Sequence, residues 1–213
     1  MNKLEVLRRL EDCGVIAVVQ ASSADQAIKT ADACIAGGIA GIEITFNVPD
    51  TLDVIHSLCK KYPAGDVLIG AGTVLDPETA RAAILAGAQY IVSPCLNADT
   101  LKLCLRYHIA CMAGAMTFKE ALECMEAGAD IVKIFPAKLF GPEIITAFRG
   151  PLPNMRIVPT YGINIENAGE WIKAGAVAVG TGNDLIAGAK TGDYAAVMQM
   201  ARRMVAEVKK ARA

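Results

Sequence analysis

Short runs of β-branched and other apolar residues alternate with longer stretches of mixed polarity along the chain. Eight such runs begin near Gly14, Gly41, Val67, Gln89, Ala110, Ile131, Arg156 and Ala176. Their starts are spaced by roughly 20 to 27 residues, which leaves room for one helix after each strand. Continuous apolar runs are typical of strands buried on both faces of a parallel sheet. The pattern therefore predicts eight successive βα units.

A pair of small residues, Ala-Gly or Gly-Gly, precedes four of these runs. It occurs in the segments AGGIAGIEIT, AGAQYIVSP, AGADIVKIFP and AGAVAVGTG. Glycine accepts the left-handed conformation that ends many helices. We therefore expect a helix to end at each pair and a strand to begin directly afterwards.

The regular alternation predicts an α/β fold, a single-domain (β/α)8 TIM barrel over residues 1–213. A doubly wound open sheet is the alternative, but such sheets seldom contain eight even repeats. Residues 2–12 precede the first strand and are expected to form an extra N-terminal helix that caps the base of the barrel. The C-terminal segment carries a helical stripe of apolar residues at Tyr194, Val197, Met198, Ala201, Met204, Val205 and Val208.

Composition and charge limit the kinds of molecule that the protein is expected to bind. Of the 213 residues, 54% are hydrophobic, which fits strands buried on both faces. The net charge is −1, with 21 basic and 22 acidic residues and no basic block, so we expect no nucleic-acid partner. No run of about 18 apolar residues occurs, so we expect no membrane span. The first segment, MNKLEVLRRLEDCG, lacks the apolar core of a signal peptide.

The cysteines and histidines indicate a reduced protein without a metal. Seven cysteines are scattered without a C-x-x-C pair, which favours core thiols in the cytoplasm over disulfides or zinc. In a TIM barrel, chemistry lies at the C-terminal ends of the strands. His108, Arg149 and Arg156 precede strands and His56 falls within a helix, so we expect structural or surface roles for all four. We therefore expect no metal and no cofactor.

One lysine interrupts the apolar run of the sixth strand. In the segment IVKIF, Lys133 and Phe135 share one face, while Val132 and Ile134 suit the face that packs on helices. The side chain of Lys133 is therefore expected to point into the barrel. Glu43 in the second strand, GIEIT, is expected to point into the same interior.

This lysine and glutamate have two interpretations. They can form a buried ion pair that fills the barrel, although such pairs are weak contributors to stability. Alternatively they form a reactive site, because perturbed ionisable groups cluster at functional sites. Desolvation lowers the pKa of an amine, and a neutral amine can attack a ketone to form a Schiff base without a metal. We favour the second interpretation, in which Lys133 is the nucleophile and Glu43 moves protons.

Turns rich in small residues follow several strands. The segment GAGTV ends the third strand at Gly72 and Thr73, offering backbone N–H groups and a hydroxyl to an anion. The segments PTYGIN and VGTGND end the seventh and eighth strands, where many TIM barrels bind phosphate. Together these two turns predict an anion site.

Seven motifs occur in order over nearly the whole chain. They are GVIAVV, GGIAGIEIT, IGAGTVLDP, AGAQYIVSP, KIFPA, GPLPNMRIVPT and AGAVAVG. In this order the chain resembles the bacterial 2-keto-3-deoxy-6-phosphogluconate (KDPG) and 4-hydroxy-2-oxoglutarate (KHG) aldolases. The resemblance implies a small metal-independent barrel that assembles as a homotrimer. It also implies a small-molecule 2-oxo acid substrate that is cleaved between C3 and C4 to pyruvate and an aldehyde.

The resemblance also implies roles for individual residues. Lys133 corresponds to the Schiff-base lysine, Glu43 to the general acid and base, and Thr73 to a contact for the pyruvyl carboxylate. Pro94 and Phe135 match residues that shape the pocket. The other substrate-binding positions that we expect are Gln20, Gly72, Thr160, Tyr161, Gly162, Gly180, Thr181 and Gly182.

The chain departs from the family pattern at several of these positions. Gln20 and Asn47 stand where family members commonly carry an arginine, and a neutral amide is a weaker anion ligand. Tyr161 replaces the first glycine of the usual Pro-Thr-Gly-Gly turn, where its ring would intrude on a phosphate. Asp184 either faces the pocket and opposes a dianion, or lies in the first turn of a helix. Lys138 either supplies a positive charge there or is a solvated loop residue.

These departures leave the substrate and two rival functions open. Candidate substrates are an unphosphorylated 2-keto-3-deoxy sugar acid, its 6-phosphate and 4-hydroxy-2-oxoglutarate. One rival is an isomerase or synthase that uses the phosphate turns, and the other is a non-catalytic sugar-acid-binding homologue. Intact Lys133 and Glu43 favour the aldolase, since neither has an evident packing role.

Overall fold

The computed structural model describes residues 1–62 and 65–213, and eight parallel strands form one sheet. The strands are β1 Val15–Val19, β2 Gly41–Thr45, β3 Leu68–Gly72, β4 Tyr90–Val92, β5 Ala110–Ala115, β6 Ile131–Ile134, β7 Ile157–Pro159 and β8 Val179–Thr181. Neighbours in sequence pair with each other, and β1 pairs with both β2 and β8. The prediction of a TIM barrel is confirmed.

The barrel closes between β7 and β8. Here Thr160 and Gly180 form an isolated parallel bridge, and the amide of Val177 donates to the carbonyl of Ile157 at 3.0 Å. Every other neighbouring pair of strands shares a continuous ladder of paired residues. We call this join the β7–β8 seam.

Helices surround the barrel, one after each strand, with a further helix before β1. Within the described ranges they are α1 Lys3–Cys13, α2 Ala24–Ala36, α3 Thr51–Lys61, α4 Pro77–Ala86, α5 Ala98–Arg106, α6 Phe118–Glu126, α7 Glu143–Arg149, α8 Ala168–Lys173 and α9 Tyr194–Arg212. Short 3₁₀ helices follow β6 at Ala137–Leu139 and β8 at Ala187–Thr191. None of the helices in these ranges is both long and apolar enough to cross a membrane.

The strand boundaries agree closely with the predicted starts. Seven strands begin at the predicted residue or at the next one. The exception is β8, predicted near Ala176, which begins at Val179 because its ladder with β1 starts only there. The predicted left-handed helix ends are confirmed at Gly87 after α4, with φ 110°, and at Gly128 after α6, with φ 93°.

The extra N-terminal helix covers the base of the barrel, as predicted. The side chain of Asn2 accepts a hydrogen bond from the amide of Glu5, and the Glu5 carboxylate accepts one from the amide of Asn2. This reciprocal capping box satisfies two backbone donors at the start of α1. The buried face of α1, formed by Val6, Leu7 and Leu10, packs on the inward side chains at the start of the strands. The base of the barrel is therefore sealed by apolar contact.

The C-terminal helix α9 packs against α2 and α8 on the outside of the barrel. Its buried residues, Val197, Ala201, Met204 and Val208, belong to the predicted apolar stripe. At the end of α9, the Arg212 guanidinium donates to the carbonyls of Asp12 and Val177, at 2.9 and 2.7 Å. The chain terminus is thus attached to the base of the barrel.

Candidate active site

Lys133 and Glu43 meet inside the barrel, at the C-terminal half of β6 and β2. Their side chains are 6% and 3% exposed, and Lys133 Nζ lies 3.4 Å from Glu43 Oε1. Val132 and Ile134 lie on the opposite face of β6, in the core shared with the helices. The period of two along a strand therefore places the lysine where the sequence predicts it.

Two glycines make room around this pair, one for the Glu43 carboxylate and one for the backbone of Pro94. A Cβ on Gly72 in β3 would collide with the Glu43 carboxylate. In β5, Gly114 pairs with Lys133, and a Cβ there would collide with the backbone of Pro94. The neighbouring strands thus approach the reactive groups with backbone alone. Gly72 contributes space for Glu43 rather than a surface for a ligand.

A cavity of about 400 Å³ lies above the pair, at the C-terminal ends of the strands. This volume is within the range of small-molecule sites. Ten predicted residues line it: Gln20, Glu43, Thr73, Pro94, Lys133, Phe135, Thr160, Tyr161, Gly162 and Gly182. We call its buried part, formed by Glu43, Thr45, Lys133 and Thr160, the cavity floor, and its exposed part, formed by Gln20, Lys138, Tyr161, Gly162, Asn183 and Asp184, the cavity mouth.

Three predicted substrate-binding residues do not line the cavity. Besides Gly72, they are Gly180 and Thr181 in β8. Gly180 lies against the side chain of Thr160, where a Cβ would collide with its hydroxyl. The hydroxyl of Thr181 points to the other side of β8 and donates to the carbonyl of Ile163 at 2.9 Å. Both residues therefore support the turn after β7 instead of facing a ligand.

Val18, Thr45, Ile163 and Asn183 line the cavity but were not among the predicted site residues. Thr45 could have been predicted to line the cavity, because it follows Glu43 by two residues on the same strand and therefore faces the same side. Its hydroxyl is hydrogen-bonded to the carbonyl of Val19 at 3.0 Å and to the side chain of Asn47. Asn47 itself does not line the cavity.

The structure decides between the alternatives that the sequence left open for the two charged residues of the cavity mouth, Asp184 and Lys138. Asp184 lies in a turn after β8 and lines the cavity, so its assignment to the first turn of an α-helix is wrong. The amide of Ile186 bonds to the carbonyl of Gly182 at 2.9 Å, and the 3₁₀ helix starts only at Ala187. Lys138 is exposed, as expected for a loop lysine, and also lines the cavity.

The turn after β7 has an unusual backbone. Tyr161 adopts φ 76° and is followed by Gly162 at φ 87°. Its ring contacts Phe135 edge to face, with centroids 6.0 Å apart, and the Phe135 centroid lies 5.6 Å from Lys133 Nζ. Thr73, also at the cavity, has φ 58°. A bulky residue in the left-handed region is strained, and such strain clusters at functional sites.

A tyrosine lies deeper in the barrel, below Glu43. Tyr90 is fully buried in the inner core, and its hydroxyl has no hydrogen-bond partner among the described residues. Burial raises the pKa of Tyr90 well above its ordinary value, and the negative charge of Glu43 raises it further. This phenol therefore stays protonated beneath the carboxylate.

Residues at the base and on the helices have the structural or surface positions that were expected. The Arg149 guanidinium donates to the carbonyls of Pro153 and Gly175, and Arg156 pairs with Glu11 of α1 at 2.5 Å. His56 and His108 are exposed and lie outside the cavity. Over residues 1–62 and 65–213, no group of three or more His, Cys, Asp or Glu side chains is arranged to hold a metal ion.

Comparison with known proteins assigns the chain to a family. A family model described as KDPG and KHG aldolase matches residues 6–200. The chain belongs to this aldolase family. The chain is also similar to the 2-dehydro-3-deoxy-6-phosphogalactonate aldolase of Escherichia coli K12, with 36% identity over 173 residues, covering 80% of this chain and 83% of the relative.

Solved structures agree with this assignment. A KDPG aldolase from Legionella pneumophila, with pyruvate captured as a covalent carbinolamine, has a TM-score of 0.83 and 28% identity over 90% of this chain and 93% of that one. A porous protein cage designed by fusing symmetric oligomeric domains has a TM-score of 0.87 and 32% identity, over 93% of this chain and 73% of that one. These matches favour the aldolase prediction over the isomerase, synthase and non-catalytic alternatives.

Proposed function

We propose that this protein is a class I aldolase, a lyase that cleaves a 2-oxo acid to pyruvate and an aldehyde through a Schiff base on Lys133. Its substrate is a 2-keto-3-deoxy sugar acid, the 6-phosphate of one, or 4-hydroxy-2-oxoglutarate. The observation that carries the proposal is the 3.4 Å approach of Lys133 Nζ to Glu43 Oε1 on a buried floor below an open cavity. A buried amine beside one carboxylate is the arrangement that imine chemistry needs.

The reaction begins when the Lys133 ammonium passes a proton to the Glu43 carboxylate and the resulting amine attacks the C2 ketone. Glu43 returns this proton to the oxygen, giving a carbinolamine. It then takes a proton from the nitrogen and transfers it to the hydroxyl, which leaves as water, so that an iminium ion and the Glu43 carboxylate remain. The Glu43 carboxylate then takes the proton of the C4 hydroxyl, directly or through water. As the C3–C4 bond breaks, its electrons pass into the iminium ion, giving an enamine on Lys133 and a free aldehyde. The iminium ion is the electron sink, so no metal takes part.

Turnover is completed on the same two residues. Glu43 returns its proton to C3 of the enamine, and water hydrolyses the resulting iminium ion to release pyruvate. One carboxylate within 3.4 Å of the amine is therefore proposed to serve each proton transfer in turn. Thr73 and Pro94 line the same cavity and are proposed to contact the carboxylate and the carbon chain of the pyruvyl portion.

Trapping with pyruvate and borohydride tests the proposal. Incubation with pyruvate and sodium borohydride, followed by peptide mass spectrometry, should give a reduced pyruvyl adduct on Lys133. The Lys133→Met variant should give none, and turnover with a 2-keto-3-deoxy sugar acid should accompany adduct formation in the wild type. An adduct without turnover would support the non-catalytic homologue, and no adduct would support the isomerase or synthase.

We also propose that the protein is a homotrimer in a reducing cytoplasm. The family resemblance supports the trimer, as does the similarity to a cage component built from symmetric oligomeric domains. All seven cysteines have free thiols, a state that a reducing compartment maintains. Light scattering should give three times the mass of one chain, and titration of the denatured protein purified under argon should find all seven thiols. A monomeric mass would contradict the trimer.

A further inference from the structure

The residues of the cavity mouth are those expected to contact the part of a substrate that lies beyond the reacting carbons. Phe135 is close to both Lys133 and Tyr161, with its ring centroid 5.6 Å from Lys133 Nζ and 6.0 Å from the centroid of the Tyr161 ring. The edge-to-face contact of the two rings holds the phenol of Tyr161 at the mouth, where 49% of the residue is exposed. A substrate that is bonded to Lys133 and extends to the mouth is therefore expected to contact Tyr161.

The strained backbone of Tyr161 is maintained by hydrogen bonds from the turn that follows the neighbouring strand β6. Its carbonyl accepts a hydrogen bond from the amide of Lys138 at 2.9 Å, and the carbonyl of Thr160 accepts one from Ala137 at 2.9 Å. These bonds connect the turn after β7 to the 3₁₀ helix after β6. A glycine would adopt φ 76° without the cost that a side chain brings. The cost of a tyrosine at this position indicates that its ring has a use.

The charges around the cavity balance one another. Among the described residues that line it, the cations are Lys133 and Lys138 and the anions are Glu43 and Asp184, and there is no arginine. A phosphate monoester has a charge near −2 at neutral pH, and arginine or several cations bind it more strongly than backbone amides of glycine-rich turns do alone. The mouth carries one positive charge, on Lys138, and one negative charge, on Asp184. Because these charges offset each other, a dianion gains little binding energy there. The hydroxyl groups of a sugar acid, in contrast, can form hydrogen bonds with the side-chain amides of Gln20 and Asn183, which line the mouth.

From these observations we propose that the substrate ends in an uncharged, hydroxylated carbon chain, and that Tyr161 is the residue that selects it over the phosphorylated form. The ring packs against the carbon chain and occupies volume that a phosphate group needs. This inference rests on the proposed function, because it concerns the far end of a substrate bonded to Lys133. It narrows the substrate class to unphosphorylated 2-keto-3-deoxy sugar acids.

Cleavage of matched substrate pairs provides the test. The pairs are 2-keto-3-deoxygluconate and 2-keto-3-deoxygalactonate, each with and without a 6-phosphate. For the wild type, kcat/KM should be at least about tenfold higher for one unphosphorylated compound than for either phosphate. Tyr161→Gly, which fits the left-handed backbone, should move this ratio toward the phosphate by about tenfold. Tyr161→Phe keeps the ring and should leave the ratio within about twofold.

Two controls separate the far-end inference from the chemistry at Lys133. His108→Gly relieves a positive φ of 54° at an exposed position outside the cavity and should leave the ratio unchanged. The pyruvate–borohydride adduct reports the floor alone, because pyruvate has no far end. If the wild type cleaves a phosphate fastest, or if Tyr161→Gly leaves the ratio unchanged, the inference is overturned while adduct formation still supports the aldolase. If no adduct forms, both proposals fail.

Discussion

The two halves of the barrel interior use the same strands for opposite purposes. In the lower half, the inward side chains are apolar, among them Ile16, Leu68, Ile131 and Val158, and α1 seals them from water. In the upper half, the inward side chains include Glu43 of β2 and Lys133 of β6. Lys133 follows the apolar Ile131 by two residues on the same strand. A single step of the strand repeat thus separates a sealed core from a polar cavity.

The apolar lower half stabilises the fold, whereas the polar upper half contributes little to its stability. Burial of apolar side chains in the lower half contributes about 1.5–3 kcal/mol for each large residue. A buried ion pair in the upper half contributes little, because desolvation offsets the attraction between the charges. Conversely, the described inward side chains of the lower half are apolar and lie outside the cavity. Substitutions in the two halves should therefore separate activity from stability.

The largest expected effect is on activity in the upper half. Replacing Lys133 by methionine removes the proposed nucleophile, so turnover of the 2-keto-3-deoxy sugar acid should fall by at least ~10³-fold. The far-UV circular dichroism spectrum should stay that of a folded barrel. Lys119→Met, which changes an 84% exposed lysine on α6, is the matched control and should keep full activity. Turnover of Lys133→Met within tenfold of the wild type would refute the role proposed for this residue.

Replacing Glu43 by glutamine should have the next largest effect. An amide retains the shape but cannot carry protons, so kcat should fall by about 10²–10⁴-fold. Lys133 remains, so the borohydride-reduced pyruvyl adduct should still form when incubation is long. Glu170→Gln, an exposed position on α8, serves as the control. A Glu43→Gln enzyme with near-normal kcat would assign the proton transfers to another group.

In the lower half, the expected effect is on stability alone. Leu10 is fully buried where α1 meets the barrel, so Leu10→Ala should lower the free energy of unfolding by about 2–5 kcal/mol. At 25 °C, kcat/KM should stay within about twofold of the wild-type value, because the cavity floor is unaltered. Leu4→Ala on the same helix, at a residue that is 75% exposed, should change the unfolding free energy by less than about 0.5 kcal/mol. Urea denaturation and steady-state kinetics measure both quantities, and a large loss of activity in folded Leu10→Ala would contradict the separation.

The smallest expected effect is at Tyr90, between the two halves. Its hydroxyl has no partner among the described residues, so Tyr90→Phe should change the unfolding free energy at pH 7 by about 1 kcal/mol or less. The pKa of Tyr90 is raised in the folded protein, so above pH 10 the unfolded chain loses this proton first. Wild-type stability should then fall by up to about 1.4 kcal/mol per pH unit more than that of the variant. Equal alkaline losses in urea titrations of both proteins would show that Tyr90 ionises normally.

The barrel was predictable because its signals are local and repeated. Eight apolar runs, each followed by a helical segment, gave strand starts that were correct within one residue at seven positions. At β8 the prediction was three residues early, because residues 176–178, with a bend at Val177, do not yet pair with β1. Where pairing begins depends on the neighbouring strand, which local sequence does not reveal.

The floor of the site was predictable for the same reason, and its mouth was not. The alternation along β2 and β6 gave the inward direction of Glu43 and Lys133. For Asp184, the sequence allowed either a helix or the cavity, and the choice depends on how the chain turns after β8. For Tyr161, the direction of the ring follows from a positive φ that tertiary hydrogen bonds impose.

The β7–β8 seam has a consequence for how substrate enters and product leaves. Tyr161 and Gly162 follow β7 and Gly182 follows β8, so the weakest join in the sheet lies beside the entrance. Local opening takes least energy where backbone pairing is sparse. We therefore expect the strand ends beside the entrance to open locally more readily than the continuous ladders that keep Lys133 and Glu43 in register, so that access and alignment depend on different parts of one sheet.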